Sequence, residues 1–115
     1  MHLNTAQRIV ALRAMVEKLL QEGITLLALS VDDHHFHLLA RFPGRHPRRW
    51  VGRAKMHAAM LLRETGLRGG VWARGLRALP IRDRAHQVNV FRYITEHGTR
   101  AAVVWTYRDR LPERE

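Results

Sequence analysis

Residues 30–39 read SVDDHHFHLL, and this stretch decides the fold because it joins two short apolar segments through a tight acidic turn. Residues 24–31 (ITLLALSV) lead into it, and residues 35–42 lead out of it. Two such runs with a tight link predict a β-hairpin. Because successive side chains on a strand point to opposite faces, we expect His35 and His37 to share one face.

The paired histidines are the first candidate for chemistry. Two imidazoles on one rigid face can hold a divalent metal, while an ordinary surface pair or a cross-strand contact is the alternative that the spacing leaves open. Asp32 and Asp33 fit the turn itself. As acids beside the histidines, they are also suited to orient an imidazole.

Length and charge narrow the class of protein. The chain has 115 residues, which predicts one domain over 1–115, with a charged tail at 107–115 that we expect to fray. It carries 20 Lys and Arg against 10 Asp and Glu, a net charge of +10, and almost all of the basic residues are arginine. Arginine suits phosphate contacts, so this balance favours nucleic acid as the partner.

Composition also bears on location. The chain has no cysteine, which excludes disulfides and thiolate metal ligands and fits a reducing compartment. No apolar run approaches the roughly 20 residues of a membrane span, and the first residues lack the pattern of a signal peptide. We therefore expect a cytoplasmic protein with no membrane partner.

Hydrophobic spacing predicts a helix on each side of the hairpin. The first has Thr5 as its cap and ends at Gly23, where a left-handed residue is needed. The second begins near Pro47, which suits a first turn, and ends at Gly66. Five arginines cluster around the loop before it and its first turns, which favours contact with a phosphate backbone over a merely solvated face: Arg41, Arg45, Arg48, Arg49 and Arg53.

The second half of the chain predicts two more strands and a third helix. Val71–Arg74 is a predicted strand, residues 74–82 are irregular or extended because of Pro80, and Ala101–Tyr107 is an edge strand or packs over the sheet. The helix between them is capped by Asp83 and stopped by Gly98. Its predicted apolar face is Val88, Phe91 and Ile94, and a separate stripe is His86, Val90, Tyr93 and His97.

In this order, the motifs resemble the single-tyrosine HUH transposases, and within them the REP-associated tyrosine transposases. That family has Met-Pro-Asn-His-hydrophobic-His-Leu-Leu where residues 32–39 read DDHHFHLL. It continues with Gly-x-x-Trp-x-Arg, Ile-Arg-Asp and Tyr-Ile-x-x-Asn-Pro-Val-Arg-Ala-Gly-Leu-Val. The matching segments here are GGVWAR at 69–74, IRD at 81–83 and YITEHGTRAAVV at 93–104.

The resemblance implies a role for particular residues. His35 and His37 match the two histidine ligands of the HUH motif, and Tyr93 matches the nucleophile. His97 falls where the family has a third polar ligand, usually Gln or Asn. The implied cofactor is Mg²⁺ or Mn²⁺, and three imidazoles favour Mn²⁺ or another transition metal. Arg74, in the Trp-x-Arg segment, joins the arginines expected to contact DNA.

The resemblance also implies an enzyme that nicks and rejoins single-stranded or hairpin DNA. Attack by Tyr93 would leave a 5′-phosphotyrosine and a free 3′-OH, and the covalent intermediate would allow rejoining without ATP. Family relatives work as monomers or as homodimers. Without the resemblance, a half-buried tyrosine that packs on the sheet is the simpler interpretation of Tyr93.

The fold implied is α/β (α+β), with a ferredoxin-like antiparallel sheet packed with helices. The usual first strand of that sheet is lacking, because the chain starts almost at the first helix and reads α-β-β-α-β-α. Asp-Asp-His also replaces Met-Pro-Asn ahead of the motif. Two alternatives therefore stand beside the nickase. One is a domesticated or decayed relative that binds DNA hairpins without cleavage. The other is a small RNA-binding module, which would lack the paired aromatics used for stacking.

Overall fold

Three helices and three strands make up the fold of the computed structural model, which describes residues 3–33, 35–44, 46–68, 70–72, 76–96 and 102–109. In chain order the elements are α1 (Thr5–Gln21), β1 (Thr25–Val31), β2 (Phe36–Arg41), α2 (Pro47–Glu64), α3 (Arg84–Thr95) and β3 (Val103–Thr106). The predicted α+β class is confirmed, with a single antiparallel sheet packed between helices.

The predicted hairpin is the centre of the sheet. The strand order is β2-β1-β3, and β1 pairs antiparallel with both neighbours. Within the hairpin, Ser30 lies opposite His37. Asp32 closes the turn, because its backbone N–H donates to the His35 carbonyl at 3.0 Å and its Oδ1 accepts from the His35 N–H at 2.7 Å. This sheet order fits the expected lack of a first strand, since β2 lies at an edge.

The two faces of the sheet carry different helices. Helices α1 and α2 pack together on one face, where Phe36 and Leu38 of β2 join their core. Helix α3 covers the other face, where its Ile94 packs with Ala28 and Leu39. The alternation predicted for β2 is therefore confirmed.

The helix ends follow simple capping chemistry. Asn4, not Thr5, caps α1, because its side chain accepts from the Gln7 N–H while the Gln7 side chain accepts from the Asn4 N–H, each at 2.8 Å. The prediction was wrong by one residue because both types are good caps. Gly23 and Gly66 end α1 and α2 with φ of +80° and +99°, as expected.

The predicted strand at Val71–Arg74 is wrong for the two of its residues that the structure describes. Val71 is buried in the core beside α2 instead, at 4% exposure. Trp72 donates from its indole Nε1 to the Lys55 carbonyl at 3.1 Å, and its ring meets Phe36 edge-on with centroids 5.2 Å apart. This segment therefore wraps over the α2 side of the core, and Arg74 lies outside the described residues.

The third strand is β3, so the described elements run α-β-β-α-α-β, and the predicted order α-β-β-α-β-α is wrong because Val71 and Trp72 form no strand. Of the two alternatives for Ala101–Tyr107, an edge strand or a segment packed over the sheet, the structure has the edge strand. Just after it, the Tyr107 N–H donates to the Leu27 carbonyl at 2.9 Å, and Asp109 Oδ2 accepts from the Thr106 N–H at 2.7 Å. Residues 107 and 109 are thus hydrogen-bonded to the sheet, and 110–115 lie outside the described residues. Among the helices that the structure describes, none is long and apolar enough to cross a membrane.

Replacement of Ile94 by alanine will test how α3 is held. Ile94 is 2% exposed against the sheet, so Ile94→Ala should lower the free energy of unfolding by about 2–5 kcal/mol. Val88, which the sequence placed on the apolar face, is 41% exposed. Val88→Ala on the same helix should therefore change stability by no more than about 0.5 kcal/mol in the same denaturant titration. Equal losses in the two variants would contradict this docking.

Candidate active site

Helix α3 carries the candidate nucleophile, and its start is fixed by two hydrogen bonds. Asp83 caps the helix as predicted, its side chain accepting from the His86 N–H at 2.8 Å. His86 Nδ1 in turn accepts from the Arg82 N–H at 3.1 Å, which ties the preceding segment to the first turn. Since Ile94 faces the sheet, its neighbour Tyr93 is rotated about 100° around the helix.

Tyr93 lies against the histidine strand. Its ring meets that of His37 edge-on, with centroids 5.7 Å apart and planes at 90°. The Tyr93 side chain is also 54% exposed, so a substrate can reach it. The expected convergence of the late helix on the early hairpin is therefore confirmed for this pair.

His35 has different neighbours from His37. Ligand-type atoms of His35, Asp32 and Asp33 all lie within 4.8 Å of one another, and His35 Nδ1 is 3.7 Å from Asp32 Oδ1. From the sequence, the two acids were interpreted as turn residues or as partners that orient an imidazole, and they were not considered as ligands. His97, the expected third ligand, lies outside the described residues.

The chemistry of these donors suits a divalent cation. Carboxylate oxygens are the ligands that Mg²⁺ and Mn²⁺ favour, and an imidazole nitrogen suits Mn²⁺ and later transition metals. Asp32, Asp33 and His35 supply both kinds at the start of β2, two residues before His37. Among the described residues, this cluster offers two carboxylates and one imidazole.

A groove of about 610 Å³ lies along β2, and its lining includes His37 but none of Asp32, Asp33 and His35. Tyr93, His37 and Arg41 line it on the side of the sheet and α3. Residues 76–81 line it as well, and they form neither helix nor strand, as predicted for a segment that contains Pro80. A second cavity, of about 470 Å³, adjoins the groove, and its lining is His46, Pro47, Arg48, Arg49 and Ala78. Pro47 and Ala78 also line the groove. The two cavities together are called the joined groove.

The predicted stripe of α3 faces this groove. His86, Val90 and Tyr93 all line it, which confirms that they share one side of the helix. The spacing of four and three residues was the signal that found them. Arg77 lines the groove too and was missed, because residues 74–82 have no periodic pattern that would place a side chain.

The arginines expected to contact DNA fall into three groups. Arg41, Arg48 and Arg49 line the joined groove. Arg53 instead pairs with Glu22, the C-cap residue of α1, with 3.2 Å between Nη1 and Oε2. Its guanidinium lies over the ring of the nearby Trp50, 5.9 Å from the ring centroid. Arg53 thus joins α1 to α2. The third group, Arg45 and Arg74, lies outside the described residues.

Comparison with known proteins gives no further guide to the family. No family model matches the chain, and neither curated proteins nor solved structures give a match. The resemblance to the tyrosine transposases therefore depends on the ordered motifs of the sequence. The contact of Tyr93 with His37 is an observation independent of it.

The ring contact itself can be measured in solution. At a centroid separation of 5.7 Å, ring protons of Tyr93 and His37 should give a nuclear Overhauser effect. Tyr93→Phe identifies the resonances, because Tyr107 is the only other tyrosine. An effect between His37 and Tyr93 is expected. Its absence in a folded, assigned sample would show that α3 packs elsewhere.

Proposed function

We propose that the protein is a metal-dependent single-stranded DNA endonuclease and transposase that nicks and rejoins DNA through a 5′-phosphotyrosine intermediate. The observation that carries the proposal is the half-exposed Tyr93 beside His37 in an arginine-lined groove. The net charge of +10 supports a polyanionic substrate. The absence of cysteine fits a reducing compartment, and we assign the activity to the cytoplasm.

The chemistry assigned to Tyr93 is nucleophilic. Its phenolic oxygen attacks the scissile phosphorus and forms the Tyr–O–P bond, while the bond from phosphorus to the 3′-oxygen breaks and that oxygen leaves as a 3′-hydroxyl. A phenol is protonated at neutral pH, so its proton must pass to a base as the bond forms. Attack of a 3′-hydroxyl on the phosphotyrosine reverses the step and releases Tyr93.

The hairpin residues have a different part in this proposal. Asp32, Asp33, His35 and His37 offer the ligands for the divalent cation. When bound, the cation would polarise the phosphate and stabilise the charge that develops on its oxygens. His37 also holds the Tyr93 ring in place through their edge-on contact. Arg41, the last residue of β2, lines the groove and attracts the phosphates of the neighbouring nucleotides.

A covalent adduct is the direct test of the nucleophile. Incubation with end-labelled hairpin DNA and Mn²⁺ should give a labelled protein band that survives denaturing electrophoresis. Tyr93→Phe should abolish the band, because phenylalanine has no oxygen to form the ester. Tyr107→Phe is the matched control, since Tyr107 is 52% exposed and Tyr93 is 54% exposed, and it should retain the band. A band that persists in Tyr93→Phe would refute the assignment.

The metal ligands can be tested without any reaction. His35→Ala removes the imidazole that groups with Asp32 and Asp33, so it should weaken Mn²⁺ binding in calorimetry by at least about tenfold. His57→Ala on α2 is the control for removal of a histidine elsewhere and should bind Mn²⁺ as the unsubstituted protein does. Unchanged Mn²⁺ affinity in His35→Ala would remove His35 from the ligand set.

A second candidate function is binding of DNA hairpins without cleavage. One observation favours it: β2 lies at the edge of the sheet, so among the described strands only β1 is hydrogen-bonded to the histidine strand. A strand held from one side positions its side chains less rigidly than a central strand does. Tight binding of hairpin DNA with no adduct in the presence of Mn²⁺ would select this function.

A further inference from the structure

The joined groove has an unusual distribution of charge. Among the described residues that line it, none is Asp or Glu, although the chain has 10 acidic residues. Its basic and imidazole side chains are Arg41, Arg48, Arg49, Arg77, His37, His46 and His86. A lining with one sign of charge concentrates the field along the groove and attracts a ligand of the opposite sign.

Several of the carboxylates are used elsewhere. Glu17 lies 4.0 Å from Arg13 on α1, and Glu22 lies 3.5 Å from Lys18. Glu22 also binds Arg53. These acids compensate arginine and lysine on the α1 and α2 side of the molecule. The described lining of the joined groove offers its arginines no carboxylate of this kind.

The rest of the lining is largely apolar. Leu39 of β2, Val51 of α2 and Val90 of α3 all contribute to it. The segment 76–81 adds Leu79 and Ile81, which are 66% and 36% exposed. Apolar side chains suit the faces of unstacked bases, and arginines suit phosphates, so the lining offers partners for both parts of a nucleotide. A duplex keeps its base faces stacked and cannot use the apolar part.

The groove ends at a favourable place for an anion. In the first turn of α2, Pro47 is followed by Arg48 and Arg49, with no acidic residue, and the His46 side chain makes no capping hydrogen bond. Pro47 has no N–H, and the Arg49 N–H donates to the His46 carbonyl at 3.1 Å. The attraction for a phosphate at this turn therefore comes from the positive end of the helix and the two arginine side chains.

We propose that a single strand of nucleic acid occupies the joined groove, passing from Tyr93 by Arg41 and Arg77 to the first turn of α2. Arg77 is a phosphate-contacting residue of this path, and Arg53 is not. The identity of the strand as DNA rests on the proposed function, whereas the path rests on the groove. The apolar lining makes the path selective for single strands over duplexes.

The test measures binding by fluorescence anisotropy as a function of salt, with a labelled single-stranded DNA of mixed sequence. Tyr93→Phe is the common background, so that no cleavage intervenes. Arg41→Ala with Arg77→Ala should weaken binding at least tenfold and reduce the salt slope by about 1.4, since each phosphate of a single strand that is no longer neutralised lowers the slope by about 0.7. Thermal melts confirm that the variants remain folded.

The matched control removes the same charge elsewhere. Arg63 and Arg68 are exposed and line neither cavity, so their double alanine variant should leave the salt slope unchanged. An equal decrease of slope in the two double variants would overturn the proposed path, because it would mean that only net charge matters. A decrease of the salt slope in the Arg41/Arg77 variant alone supports the path.

Other nucleic acids complete the test. A duplex of the same sequence should bind at least tenfold more weakly than the single strand, and equal binding would overturn the proposed selectivity. If RNA of that sequence binds more tightly than DNA and still depends on Arg41 and Arg77, the path stands and DNA as the substrate is wrong. If an adduct forms on Tyr93 in the unsubstituted protein but the variant with Arg41→Ala and Arg77→Ala binds single-stranded DNA normally, the cleavage proposal stands and the path is wrong.

Discussion

The packing of α3 on the sheet is the interaction on which the candidate site depends. Ile94 is buried against Ala28 and Leu39, and the small side chain of Ala28 leaves room for the helix to approach. With Ile94 fixed, the helical rotation sets where Tyr93 points. The same face of β2 presents His37, so one apolar contact brings a phenol and an imidazole together from residues distant in the sequence.

The sheet edge and the charge pattern fit together around that contact. β2 has β1 on one side, and the groove, which residues 76–81 also line, lies along it. An exposed edge strand invites association with other chains, and charged side chains such as Arg41 oppose it. The features that protect this edge from association also make it attractive to a polyanion. Charged residues such as Arg41 thus serve both to oppose association at the edge and to attract the proposed ligand.

Local patterns were sufficient to predict the hairpin, the faces of β2 and the shared stripe of His86, Val90 and Tyr93, because these follow from periods of two or of three and four residues. Caps and glycine stops located both ends of α1 and α2 and the start of α3 to within one residue, whereas α3 ends at Thr95, before the predicted stop at Gly98. The features that were missed depend on contacts between distant segments. A short apolar run has the same sequence pattern whether it pairs in a sheet or packs against the core as a loop, which is why Val71 was placed in a strand. Arg53 was assigned to a DNA-binding cluster, although tertiary packing pairs it with Glu22 at the C-terminal end of α1.

The central claim is that the phenol beside His37 is the group that attacks DNA, and peptide mass spectrometry tests it most directly. The protein is incubated with single-stranded DNA and Mn²⁺ and then digested with nuclease and protease. The digest is analysed for peptides that carry a nucleotide. We predict a nucleotide joined through its 5′-phosphate to Tyr93 in the peptide that contains this residue. Modification of Tyr107 instead, or cleaved DNA with no modified peptide, would contradict this claim.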